Sequence, residues 1–274
     1  MQFSDHIKIH SIAILFLFLS NFCRAQPPSP ICCAPITTGS IQTTCPGTAI
    51  TIPVTVTGFS NIGGITLRIL YNSTVMSFTS GNANPAITAQ GGVAFNSVPV
   101  NDTTNALKIT WTTSPNPPNN LNLVTLPDNS VLFTIGFNYI SGNTAFSFDN
   151  TNNGGTDCEY STIIILPPPD YFSVVPLIDT PTSTYYHDGQ LSSPPGPRTW
   201  TGNVSTDWSN SNNWNPCGVP RVTDDITVPA APSNKPIVNA SGFGCHNILV
   251  KTGSKLTVNP GVLLTITGTC TIEP

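Results

Sequence analysis

The sequence predicts an all-β protein, and three observations predict it. First, 27 of the 274 residues are Pro and 21 are Gly, enough to end most regular elements after a few residues. Second, charged side chains make up only 8% of the chain, about a third of the usual share, while 39% is apolar. A core can therefore be built, and its polar cover must come from Thr, Asn and Ser, which serve strands and turns better than helices. Third, apolar and polar residues alternate in short runs, clearest in Ala49–Thr57 (AITIPVTVT). Runs of good helix formers are missing, which argues against a coiled coil. The formal charge of −4 supplies no basic face for phosphates, so nucleic acid is not an expected partner.

The first 25 residues read as an address. Residues 1–10 are polar and carry Lys8, residues 12–19 (IAILFLFL) are unbroken apolar, and Ser20-Asn21 ends the run. Cys23 and Ala25 place small residues at −3 and −1 before Gln26. That is the order of a secretory signal peptide cleaved near Ala25, with an apolar core too short to span a bilayer. A lipoprotein reading with Cys23 lipidated meets bulky Phe22 where a small residue is needed. No later stretch is apolar enough to cross a membrane, so the mature chain is expected to be secreted or held at the cell surface, without a transmembrane segment.

Export sets the expectation for cysteine. Cys32, Cys33, Cys45, Cys158, Cys217, Cys245 and Cys270 follow the cleavage point, and in an oxidising compartment disulfides are the default. Cys217 and Cys245 flank one compact stretch and form the preferred pair. Among Cys32, Cys33, Cys45 and Cys158 the sequence does not choose partners. The odd count leaves one thiol over, with Cys270 the candidate.

Rhythm divides the rest. Residues 26–44 read as an N-terminal linker. Residues 45–191 carry candidate strands at Ala49–Thr57, 65–69, 107–111, 131–138, 145–148, 161–166, 172–175 and 190–191, separated by Gly, Asn and Pro breaks. Several short strands so spaced predict an antiparallel sandwich or barrel. Residues 192–198, including Ser193-Pro194-Pro195-Gly196-Pro197, read as a stiff spacer and domain boundary. In the remainder, 199–274, three eight-residue units follow one another as NILVKTGS, KLTVNPGV and LLTITGTC. Ile248 and Val250, Leu256 and Val258, and Leu264 and Ile266 occupy their second and fourth places. So short a unit cannot bury its apolar side alone and asks for stacking in a β-solenoid, the alternative being a β-meander.

The first module resembles a cohesin domain. Gly47-Thr48-Ala49-Ile50-Thr51-Ile52-Pro53-Val54 is similar to the family's opening Gly-x-x-(apolar)-x-(apolar)-Pro-Val strand. Residues 65–72 (ITLRILYN) and Val75-Met76-Ser77-Phe78 resemble its next strand, with Asn72 standing where Asp is usual. Residues 107–111, 131–137 and His187-Asp188-Gly189-Gln190-Leu191 fit the later strands. The resemblance implies a nine-strand jelly-roll β-sandwich, related in fold to carbohydrate-binding modules, with a sheet face that receives a calcium-loaded dockerin carried by a protein partner, often a polysaccharide-degrading enzyme. The second module resembles one found in exported bacterial surface proteins. Its signature here is Trp200-Thr201-Gly202, Asp207-Trp208, Asn213-Trp214, Val219-Pro220, Asp224-Asp225 and Val228-Pro229. That resemblance implies a structural or adhesive stalk.

Catalytic patterns are thin. A glycosidase needs two carboxylates facing one pocket, yet the chain has two Glu, Glu159 and Glu273. Asp157 and Glu159 would share a strand face, but they read as solvated charges beside Cys158. His187 and His246 have no nucleophile in motif context, and adjacent Cys245 and His246 lack zinc-ligand spacing. The chain is not expected to be an enzyme. Asp149, Asn153 and Asp157 offer oxygens like the opening of a calcium loop, but Tyr160 stands where the bidentate acid belongs, so a plain Asn/Gly turn fits better. Calcium is expected chiefly on the partner, and no other cofactor is implied. Trp208 and Trp214, six residues apart, would share a face of an extended segment and could anchor a partner or stack on sugar. The competing reading, that they plug the core of a small module, suits a domain short of large residues. Trp111 is expected in the core on the same ground. The functional expectation is a non-catalytic surface binding and scaffolding protein. The alternatives are direct attachment to cell-surface polysaccharide, or a structural adhesin.

Overall fold

A computed structural model of the chain describes residues 33–115, 121–151, 158–166 and 172–274. The predicted signal peptide, Asn153 and Asp157 lie outside the described residues. Among the described residues thirteen strands, against the nine that the resemblance implies, build the first module: β1 (Ile36–Gly39), β2 (Ile41–Thr43), β3 (Ala49–Thr57), β4 (Gly64–Asn72), β5 (Met76–Ala83), β6 (Ala94–Pro99), β7 (Thr104–Thr112), β8 (Ser130–Tyr139), β9 (Thr144–Phe148), β10 (Glu159–Ile165), β11 (Phe172–Pro176), β12 (Tyr186–His187) and β13 (Gly189–Ser192). One sheet has the order β12-β1-β3-β8-β5. The other runs β11-β10-β4-β9-β13-β2, with β7 on the second edge of β4 and β6 beyond it.

The alternation read from the sequence makes this a sandwich. In β3, Ile52, Val54 and Val56 point inward and are at most 1% exposed, while Thr51, Pro53, Thr55 and Thr57 face out. On the facing sheet Leu67 of β4 lies opposite Ile109 of β7, and Ile65 opposite Trp111, all buried. Trp111 is thus in the core. The chain repeatedly crosses between the sheets, the winding of a jelly roll. All described candidate strands fall within observed ones, apart from Leu166 just past the end of β10.

Three expectations need correction. Residues 26–44 are not simply a linker, because β1 and β2 belong to the sheets. They pair in parallel with β12 and β13, roughly 150 residues downstream, so no local periodicity announces them. Residues 192–198 do not separate two independent bodies, since Ala34 to Pro274 is one compact unit. Ser193 and Arg198 within the stretch are buried. The preferred Cys217–Cys245 pair does not form. Cys217 is bonded to Cys45 with Cα atoms 5.5 Å apart, whereas Cys245 points into the second module's core and is fully buried. Nearness in sequence favoured the wrong partner because the coil between them turns Cys245 inward.

The second module contains β14 (Arg198–Trp200), β15 (Trp214–Asn215), β16 (Ile226–Val228), β17 (Ile237–Val238), β18 (Phe243–Cys245), β19 (Ile248–Val250), β20 (Thr257–Val258), β21 (Leu264–Ile266) and β22 (Cys270–Ile272). Apart from β15, they pair in parallel: β14-β16-β19-β22, β17-β20 and β18-β21. Parallel pairing excludes a meander and makes this a β-solenoid. The three eight-residue units turn out to be three successive sides of one coil. Their stacking partners lie in the preceding coil: Ile226 under Ile248 under Cys270, and Val228 under Val250 under Ile272. A side-chain ladder marks the same step. Asn247 Nδ2 donates to Asp225 Oδ1 at 2.7 Å, and the Thr269 N–H donates to Asn247 Oδ1 at 2.7 Å, each 22 residues apart. The earlier coil escaped notice because Pro229, Pro232 and Pro236 interrupt its rhythm. No helix among the described residues is long and apolar enough to cross a membrane.

Candidate functional site

The outer face of the first sheet is built by the side chains that β3, β5 and β8 turn away from the core. Register sets them in rows. Ser77, Asn138 and Ala49 stand side by side, then Ser80, Gly136 and Thr51, then Asn82, Thr134 and Pro53. A further row brings Val131, Thr55 and Thr38 together. None of these twelve is ionisable and none is aromatic. Gly136 holds the middle of the face low, because Ser80 and Thr79 hydroxyls occupy the space a Cβ would need. The result is a flat surface of hydroxyl and amide groups that can make hydrogen bonds without desolvating charge. Sequence reading missed it as a site. The alternating Thr and Ser were legible as the outer side of strands, but no motif singles them out.

The residues chosen from sequence lie elsewhere. Trp208 and Trp214 are not surface platforms: they are 0% and 3% exposed. With Trp200 they form an edge-to-face cluster, with ring centroids 4.9 and 4.8 Å apart, that closes the first end of the solenoid. Trp214 Nε1 donates to the Trp208 carbonyl at 3.0 Å, and Trp200 Nε1 to the Asn234 carbonyl at 2.6 Å. Asn213, fully buried, accepts from the Val204 and Ser205 N–H groups at 2.9 and 3.0 Å and donates to the Asp207 carbonyl. The Trp signature therefore encodes a cap, as the small module's need for large core residues required.

Asp149, the described member of the calcium candidate, is buried and committed within the chain. It pairs with Arg68 and accepts from the Thr151 N–H and hydroxyl. Nearby, burial and secondarily the Asp179 charge push the Glu159 carboxyl above its ordinary range. Asp179 is held by the Tyr186 hydroxyl at 3.0 Å.

The junction between the modules is extensively bonded. Besides Cys45–Cys217, Arg221 Nη2 donates to Asn143 Oδ1 at 3.0 Å and to the Ser193 carbonyl at 2.9 Å. Arg198, buried, bonds Asp224 and three carbonyls. Gly218, at φ +117°, lets the Cys217 loop press onto Ser193, whose side chain lies 2.8 Å from where a Cβ would sit. The Tyr139 hydroxyl, raised by burial, donates to the Gly142 carbonyl beside this junction.

The two solenoid thiols differ in chemistry. Burial, with lesser contributions from Cys270 and Asp225, pushes the Cys245 thiol up to about 11, while Cys270 is exposed. Thiolate is the reactive form, so at pH 8 iodoacetamide is expected to modify Cys270 and to spare Cys245 until the chain is denatured. Peptide mapping after timed alkylation checks this; equal labelling of both would contradict the placement of Cys245.

Residues 199–274 match a family described as a domain of unknown function (DUF8693). No curated protein matches the chain. Among solved structures, it is similar to the sixth cohesin of scaffoldin B of Acetivibrio cellulolyticus, solved in complex with a mutant Cel5 dockerin. That likeness has 14% identity and a TM-score of 0.40, covering 59% of this chain and 99% of that one. It is also similar to a type I cohesin–dockerin complex of Clostridium thermocellum, at 8% identity and TM-score 0.41, covering 62% of this chain and 100% of that one. A non-cellulosomal cohesin of Archaeoglobus fulgidus shares 12% identity at TM-score 0.36, covering 59% of this chain and 92% of that one.

Proposed function

We propose that this is an exported, non-catalytic binding and scaffolding protein, whose sandwich takes a dockerin-type protein partner on the outer face of its first sheet. The solenoid, on this reading, spaces or anchors the sandwich at a bacterial cell surface. The first 25 residues support export. The cohesin-like motifs over residues 45–191 support the partner class, and the sheet face is the observation that carries the reading. Polysaccharide binding typically recruits exposed rings that stack on sugar. Here all four tryptophans are at most 3% exposed, and the sheet face offers hydroxyls and amides instead. Such a face suits a protein partner that brings its own complementary groups, calcium among them.

Capture tests the reading. The chain from residue 26 is immobilised and exposed to secreted proteins of its source in calcium and again in chelator, and the eluates are identified by mass spectrometry. Recovery of dockerin-bearing proteins in calcium alone is the expected result. Co-sedimentation with insoluble polysaccharide and no dockerin capture would replace it with the carbohydrate-binding alternative.

Because none of the twelve residues is ionisable, with His187 only at the sheet edge beside Thr38, affinity for such a partner is expected to change less than about threefold between 0.05 and 0.5 M NaCl. A tenfold loss in titrations across that range would place the binding surface elsewhere.

A further inference from the structure

A cleft of about 400 Å³ opens where three stretches of chain converge: the end of β9, the short helix Thr182–Tyr185, and the crossing from β12 in the first sheet to β13 in the second. Its volume is that of a small-molecule site. Phe148 and Tyr186 floor it, 8% and 6% exposed, with ring centroids 5.8 Å apart. Both rings are held from behind. Phe148 meets Phe146 edge to face, and Tyr186 lies nearly parallel to Tyr160 with its hydroxyl on Asp179. Asp188 is held as well, because its Oδ1 accepts from the Phe148 N–H at 2.9 Å. Asp188 Oδ2, the Asn150 amide and the Thr182 and Ser183 hydroxyls remain at the cleft, and among the described residues none of these groups has a hydrogen-bond partner.

We propose that this cleft binds a short neutral saccharide, seating a pyranose ring on Phe148 and Tyr186 with a pair of its adjacent hydroxyls on Asp188. The proposal does not rest on the sheet face assigned to a protein partner. The chemistry of the lining selects the ligand class. Asp188 only accepts hydrogen bonds, while the Asn150 amide and the Thr182 and Ser183 hydroxyls both donate and accept. Sugar hydroxyls match that mixture, since each of them also donates and accepts. An amine would satisfy Asp188 and leave the amide and hydroxyl donors without an acceptor. An anion would meet Asp188, the one charge of the lining, with no lining cation to offset it. A bare calcium ion needs six or more oxygens drawn close around it, and a single carboxylate on an open cleft does not supply them. The two rings are too covered to be a platform for a polysaccharide chain laid flat. They instead give the C–H edge of a single sugar an apolar seat, fixed in place before the ligand arrives.

Ligand-observed NMR titration of the chain from residue 26 tests the proposal, with the methyl glycosides of glucose, galactose, mannose, xylose and N-acetylglucosamine as probes and glucuronate as the charged comparison. At least one neutral glycoside should bind with a dissociation constant on the order of 1 mM, the affinity that about a dozen heavy atoms reach at ordinary ligand efficiency. Glucuronate should bind at least about tenfold more weakly, because its carboxylate meets that of Asp188. Asp188→Asn keeps an acceptor for the Phe148 N–H and should weaken binding about tenfold or more, as loss of a hydrogen bond to a charged group predicts. Thr182→Trp should abolish binding by filling the cleft. Both residues are exposed, so both variants should keep the melting temperature of the parent. Chelator should leave binding unchanged. Failure of every neutral glycoside to bind at about 20 mM would overturn the proposal. So would undiminished affinity in either variant, glucuronate bound as tightly as the neutral sugar, or binding lost in chelator.

Discussion

Replacing both Cys45 and Cys217 by Ser is expected to cost about 5 kcal/mol of stability, the chain-entropy value for a cross-link that closes so long a loop. The two residues are 172 apart in sequence, so the bond removes a large set of open conformations from the unfolded chain. It also ties the segment before β3 to the loop after β15, across the junction of the two modules. Urea unfolding of the double variant beside the unsubstituted chain checks the figure. The variant should further show separate transitions for sandwich and solenoid, because the cross-link that couples them is gone and the backbone at residues 192–198 is the covalent connection left. A loss below about 1 kcal/mol would mean that this pairing does not constrain the chain in the way its loop length requires.

Arg198→Met carries the second large effect, a loss of about 3–5 kcal/mol for breaking a buried ion pair by removing one partner. The Arg198 side chain is 0% exposed. Its Nε donates to Asp224 Oδ2 at 3.0 Å, Nη1 to the Pro216 and Cys217 carbonyls at 2.8 and 2.6 Å, and Nη2 to the Pro194 carbonyl at 2.5 Å. Methionine fills similar volume but donates nothing, so a buried carboxylate and three carbonyls lose their partner together. Part of the loss should be recovered in the double variant Arg198→Met/Asp224→Asn, which removes the stranded charge. Denaturant titration of the two variants measures the difference. Equal destabilisation of both would contradict an electrostatic origin.

Both effects sit at a junction that the sequence disguised. Ser193-Pro194-Pro195-Gly196-Pro197 has the composition of a stiff spacer, yet its carbonyls at Ser193 and Pro194 are what Arg221 and Arg198 bind. Composition reports backbone stiffness and is silent about a cation arriving from elsewhere in the chain. Local alternation was a better guide: Ala49–Thr57 and the residues of β4, β7 and β8 were legible because one face of each is buried and the other is not. β5 and β6 were harder to see. Gly81 in β5 lies flat beneath the Phe95 ring of β6, so the packing that joins them leaves no apolar alternation in β5. β1 and β2 depend on partners near residue 190, and no window of local sequence contains that information. The solenoid was half legible, with the beat of its last full coil visible and the 22-residue step between coils hidden by prolines. Of the candidate site, the tryptophans drew attention because they are large and rare, and they proved to be core for the same physical reason. The sheet face drew none, because a surface of Thr, Ser and Asn looks like any outer side of a strand.

The central claim is that this face of β3, β5 and β8 receives the partner, and calorimetric titration tests it most directly. Calcium-loaded dockerins, beginning with any recovered by capture, are titrated into the chain from residue 26 and into Thr51→Arg and Asn138→Arg. Both residues are exposed on the side of the sheet that faces away from the core, so the variants should fold with about the stability of the parent. Binding that requires calcium and falls at least about a hundredfold in each variant, as a charge forced into an uncharged contact demands, is the predicted result. Undiminished affinity in both variants, or the same affinity in chelator, would contradict the assignment of the face.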